Sequence, residues 1–105
     1  MQLQNSFIHH VFFWLKENNE NNRQELIKGL KKLSAVKTIQ QYHIGLPANT
    51  NRDVIENTYN ISWMILFNST EDQESYQVDP IHLNFVNECS HLWKKVTVFD
   101  SVNTK

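Results

Sequence analysis

The sequence predicts an α+β domain with the element order β-α-β-β-α-β, and three observations carry that expectation. Runs rich in aromatic and branched residues at Phe7 to Leu15, Val36 to Leu46, Thr58 to Phe67 and Trp93 to Phe99 have strand character. Two stretches between them repeat apolar residues at helical spacing. Chain breakers separate the segments, in KENNENN, in GLPANTNRD and at Asp79-Pro80. At 105 residues the chain has the size of one domain, with an ordered core expected over about residues 6–100.

The first strand, FIHHVFFWL, ends at the polar run that follows Leu15. From about Asn19 to Leu33, Leu26, Ile27, Leu30 and Leu33 fall on one helical stripe, with asparagines available as the N-cap. Gly29 weakens that helix by about 1 kcal/mol relative to alanine, which suggests a close packing approach there. The second and third strands are joined by a turn-rich loop and are expected to pair antiparallel. Thr70 with Gln73 has the pattern of a capping box, so the second helix should open at Thr70. Asp79-Pro80 supplies an N-cap and a first-turn proline for a restart, and the apolar spacing continues to Cys89, so this helix is in two pieces. The last strand is Trp93 to Phe99, and Ser101 to Lys105 should fray. The order is that of a ferredoxin-like fold: a four-stranded antiparallel sheet with its helices on one face.

Successive strand residues point to opposite faces, and the first strand is apolar on both. Phe7, Val11, Phe13 and Leu15 share one face with His9; Ile8, Phe12 and Trp14 share the other with His10. Helices cover only one side of such a sheet, so the second apolar face needs its own cover. A second copy of the chain is the simplest one. The interface of that homodimer is expected to contain Ile8, Phe12, Trp14, Met64 and Val98.

Ten Lys and Arg against eleven Asp and Glu leave a net charge of -1, without the basic excess of a polyanion binder. The third strand, NISWMILF, also lacks the glycine and basic residue of an RNA-recognition motif, so nucleic acid is not the expected partner. No histidine pair has metal-ligand spacing, and Gly29 and Gly45 are the only glycines, so neither a metal site nor a phosphate loop is expected. The one cysteine excludes an internal disulfide, and the apolar run FIHHVFFWL is too short and too interrupted to span a bilayer. A cytoplasmic protein without cofactor, away from the membrane, is expected.

In SYQVDPIHLNF, a tyrosine and a histidine stand on either side of the proline break. His82 precedes Phe85, Val86 and Cys89 at i+3, i+4 and i+7, which places it on the stripe facing the sheet and predicts its burial. A lone histidine there is either a hydrogen-bonded core residue or a proton-transfer group.

The segments HHVFFWLK, GLPANTNRDVIENTY, YQVDPIH with the following Phe85, and LWKKVTVFD together resemble the stress-responsive A/B barrel family, Dabb. The resemblance implies a homodimer whose two sheets close an α+β barrel. It is also to plant polyketide cyclases, which carry out an intramolecular aldol condensation without metal or organic cofactor. By that likeness His82 is the general base, Tyr76 the donor to a carbonyl, and His9 a wall of the cavity. A histidine of those relatives falls at Ile61 here, which leaves a greasier site with Trp63 filling part of it and Phe85 beside it. Two functions follow. One is a homodimer of unassigned reaction that binds a small hydrophobic molecule or serves a stress-related role. The alternative is a cofactor-independent enzyme with His82 and Tyr76 in catalysis, similar to the cyclases or to the monooxygenases of antibiotic biosynthesis.

Overall fold

The computed structural model describes residues 1–105. Its elements are β1 (Phe7–Leu15), α1 (Glu20–Leu33), β2 (Gln41–Gly45), β3 (Ile61–Phe67), α2 (Thr70–Val78), α3 (Pro80–Cys89), a 3-10 turn (Ser90–Leu92) and β4 (Trp93–Val102). All strand pairs are antiparallel, in the spatial order β2-β3-β1-β4. No helix is long and apolar enough to cross a membrane.

Alternation along β1 sorts the two layers. Phe7, Val11, Phe13 and Leu15 join Ile61, Trp63, Ile65 and Phe67 of β3 in one core with Leu26, Leu30 and Leu33 of α1, Tyr76 of α2 and Phe85 and Cys89 of α3. The helices therefore cover the odd face of β1. Asn19 caps α1 by accepting from the Asn22 N–H, and Gly29 lets α3 come close: a Cβ there would meet Cys89 Sγ at 2.5 Å.

Expected closure into a barrel is overturned. The sheet is open, with β2 and β4 as free edges. Its four strands are half of the roughly eight needed to close a barrel around its own side chains. With Cα extents of 39 × 37 × 18 Å the chain is a two-layer slab, and the even face of the sheet lies outside it.

Three strand boundaries and one helix cap also differ from expectation. The second strand begins at Gln41 instead of Val36, because Val36 and Ile39 are apolar for a different reason: they pack into or against the core from a turn. The third begins at Ile61 instead of Thr58, because Asn60 turns back onto β1, its N–H donating to Phe13 O and its Oδ1 accepting from the Leu15 N–H. Ser69, not Thr70, caps α2, accepting from the Asp72 N–H. The last strand runs on to Val102, and Asn103 accepts from Ser6, so the tail is held beyond where fraying was expected.

One face assignment is corrected. Val98 was expected on the even face, yet it pairs with Val11 and so lies on the helix side. Trp93 opposes Leu15 while Lys95 opposes Trp14, and this β-bulge inserts one residue that inverts the alternation of β4. Phe99, opposite His10, takes the outer place instead.

Candidate functional site

The break between α2 and α3 builds the site. Asp79 accepts from the Ile81 N–H and Pro80 occupies the first turn of α3, where its missing N–H does no harm. Six positions along an unbroken helix would leave His82 about 120° around the axis from Tyr76. The break instead brings the two rings to a centroid distance of 4.7 Å. His82 Nδ1 lies 3.1 Å from the carbonyl oxygen of Gln77, one of the carbonyls that the end of α2 leaves without a helical partner. A carbonyl only accepts, so Nδ1 carries the proton and Nε2 keeps its lone pair. Burial lowers the proton affinity of His82, the neighbouring His9 adds to this, and the Gln77 carbonyl and Asp79 act against it.

Tyr76 is buried beneath the break, and its hydroxyl oxygen accepts from Trp63 Nε1–H at 3.3 Å. Burial pushes its pKa well above the ordinary phenol value, while the Trp63 hydrogen bond works in the other direction. The hydroxyl stays protonated at neutral pH, with its own proton available to an acceptor.

His9 completes a row of three rings, its centroid 5.8 Å from that of Tyr76. It is held from β4: His9 and Asp100 are direct partners in the register, and His9 Nδ1 lies 2.6 Å from Asp100 Oδ1. Asp100 is the site residue that the sequence reading missed. The signal was the alternation Val96, Val98, Asp100, hidden because the strand was expected to stop at Phe99.

His9, Tyr76 and His82 face a cavity of about 160 Å³ whose lining is mostly apolar, with Val11, Trp63, Phe85 and Val98 among its walls. Hollows of about 240 Å³ between α1 and α3 and about 250 Å³ on the outer sheet face are larger, but neither is lined by a histidine. Among the expected ligand-contacting residues, His9, Trp63 and Phe85 line the cavity with His82 and Tyr76. Ile61 does not; it is fully buried opposite Phe13, in the packed core. His82 is half-buried where burial was expected. The helices leave the inner face of β4 uncovered, with Val96 and Val98 exposed, so the cavity opens to solvent on that side.

On the outer face, Ile8, Phe12, Trp14 and Met64 are half-buried. Part of their cover comes from the loop of residues 46–60: Tyr59 packs 4.9 Å from Phe12, and Trp14 Nε1–H donates to Thr58 Oγ1.

Comparison with known proteins places this arrangement. The solved structures it resembles include a Dabb family protein with a ferredoxin-like fold from Mesorhizobium loti, with 21% identity and a TM-score of 0.80 over 97% of this chain and 100% of that one. A dimeric ferredoxin-like protein of unknown function from Thermobifida fusca has 14% identity and a TM-score of 0.75 over 93% and 91%. A hydroxynitrile lyase from Passiflora edulis has 15% identity and a TM-score of 0.78 over 98% and 97%. These identities speak for the fold. A search of curated proteins finds no match. The family model described as the stress responsive A/B barrel domain matches residues 7–103, nearly the whole chain, and the protein belongs to that family.

Proposed function

We propose that this stress responsive A/B barrel protein, of unassigned reaction, is a homodimer that binds a small and largely apolar carbonyl compound beside His9, Tyr76 and His82. The observation that carries the ligand is the convergence of three polar rings on one apolar cavity. Its volume of about 160 Å³ is close to the roughly 150 Å³ of a protein cavity that takes up benzene, so a single ring or a short chain fits. Tyr76 offers a hydroxyl proton to a carbonyl oxygen, and His82 offers a lone pair. The dimer is supported by the apolar outer face and by the dimeric relative from Thermobifida fusca, with Ile8, Phe12, Trp14 and Met64 in the contact. The lone, buried Cys89 suits the reducing cytoplasm.

The Trp63 indole N–H is the probe for the ligand, since it touches Tyr76 directly. In titrations with acetophenone or benzaldehyde its NMR signal should shift, and His82→Ala should weaken the response. No shift at millimolar compound would overturn the ligand. Light scattering at micromolar concentration tests the assembly, with Phe12→Asp as the variant that should separate it; a wild-type monomer mass would overturn the dimer.

Catalysis is the second reading, favoured by a neutral base set beside a protonated phenol. His82 Nε2 would take a proton from the carbon next to the carbonyl. The electrons of that C–H bond would pass to the oxygen, where the enolate is stabilised by the Tyr76 hydroxyl. The fold is shared by a hydroxynitrile lyase, which is in keeping with such use. Deuterium exchange at the methyl group of acetophenone, lost in His82→Ala, would support it; exchange at the buffer rate would end it.

A further inference from the structure

The outer face carries two histidines that the site does not use. In register, His43 of β2, Met64 of β3, His10 of β1 and Phe99 of β4 form one row across the sheet. Ile8 and Leu66 flank the row on one side and Phe12 on the other, with the His10 and Phe12 rings 4.3 Å apart and those of Phe12 and Phe99 6.0 Å apart. The other titratable groups on this face are Lys95 of β4 and Glu56 and Tyr59 of the 46–60 loop, which gather at the Trp14 end. His9 lies behind the sheet, paired with Asp100. No carboxylate stands in the row beside either imidazole.

We infer that His10 and His43 make this face an acid-released interface between two copies of the chain, closed while both imidazoles are neutral and opened when they take up protons. The inference rests on the homodimer proposed above. A two-fold axis sets the same patch against itself, so the seam gathers two copies of each imidazole among Ile8, Met64, Leu66 and Phe99. Unpaired charge in such a seam favours separation, because each imidazolium regains water on leaving. The proton affinity of His10 is already below the ordinary histidine value, through burial first, then His43 and His9. Further burial in the seam lowers it again, so protons bind the separated chains better and drive dissociation.

Sedimentation velocity on the full chain at pH 7.5, 6.0 and 5.5 tests this, with circular dichroism on the same samples. Each imidazole that must be neutral in the dimer and charged when free raises the dimer Kd by roughly tenfold per pH unit below its pKa. The expected result is a dimer at pH 7.5 whose Kd rises at least about tenfold by pH 5.5 with the fold intact. The His10→Gln/His43→Gln double variant and His10→Phe should both dimerise at pH 7.5; the double variant should lose most of that rise and His10→Phe, which keeps His43, a part of it. A wild-type Kd that does not move with pH overturns the switch and leaves the dimer standing; a monomer at every pH overturns both. Dissociation seen only with unfolding, an undiminished rise in the variants, or failure of both variants to dimerise at pH 7.5 also overturns it.

Discussion

His9 Nδ1 sits 2.6 Å from Asp100 Oδ1, between residues that face each other directly across β1 and β4. A carboxylate only accepts, so the contact places a proton on Nδ1 and leaves Nε2 outside the pair. Asp100→Ala removes the acceptor. The imidazole nitrogens of His9, followed by NMR, should lose their fixed Nδ1–H pattern and ligand affinity should fall. The carboxylate is partly exposed, so stability should drop by only about 1 kcal/mol. An unchanged nitrogen pattern would mean that Asp100 does not position the ring.

Tyr76→Phe deletes the oxygen that accepts from Trp63 Nε1–H and strands a buried donor. The expected loss is about 1 to 3 kcal/mol, and each kcal/mol lowers the Tm of a domain this size by roughly 4 to 8 °C. In a double-mutant cycle with Trp63→Phe the combined loss should be smaller than the sum. Additive losses would show that the two groups do not depend on each other.

Acid should weaken the fold through His82. Its proton affinity is held below the ordinary value, chiefly by burial, so the unfolded chain binds the proton more readily. The neutral ring costs nothing above the unfolded pKa of about 6.5; stability is lost as pH falls through that value toward the lower folded one. Thermal melts between pH 7.5 and 5 should show the decline, and His82→Gln should flatten part of it. A melting temperature that rises on acidification would contradict the direction.

Gly29→Ala should destabilise, although alanine is the better helix former by about 1 kcal/mol. The new methyl would stand 2.5 Å from Cys89 Sγ and 3.4 Å from Phe85, so α1 and α3 would have to part. Overpacking of this kind costs about 1 to 3 kcal/mol. Cys89→Ala in the same chain should restore most of the loss, and denaturant melts of both variants would measure it. Stabilisation by Gly29→Ala alone would show that Cys89 yields easily.

Signals carried by neighbouring residues were legible in the sequence. The polar run after Leu15, the Asn19 cap and the Asp79-Pro80 restart each act within a few positions, and β1, α1 and α3 begin or end where they indicate. Helical spacing placed His82 on the stripe facing the sheet, but only the family resemblance joined it to Tyr76 and His9 as one site. What depended on pairing between distant segments was hidden. Val98 changed face because a bulge opposite Trp14 and Leu15 inverts the alternation of β4, and Asp100 could be linked to His9 only by that register. Val36 and Ile39 looked like strand residues because burial selects apolar side chains whatever the backbone does.

The central place of β1 between β3 and β4 bears on how the protein is made. β1 cannot be paired on both sides until β4 has followed it from the ribosome, so while the chain between them is made the nascent protein holds an apolar ribbon with at least one edge open. Contacts between segments so far apart in sequence form slowly, and exposed strand edges in that interval invite pairing with other chains. His9 acquires its carboxylate partner in the same final step, so its ring is held in place only when the sheet is complete.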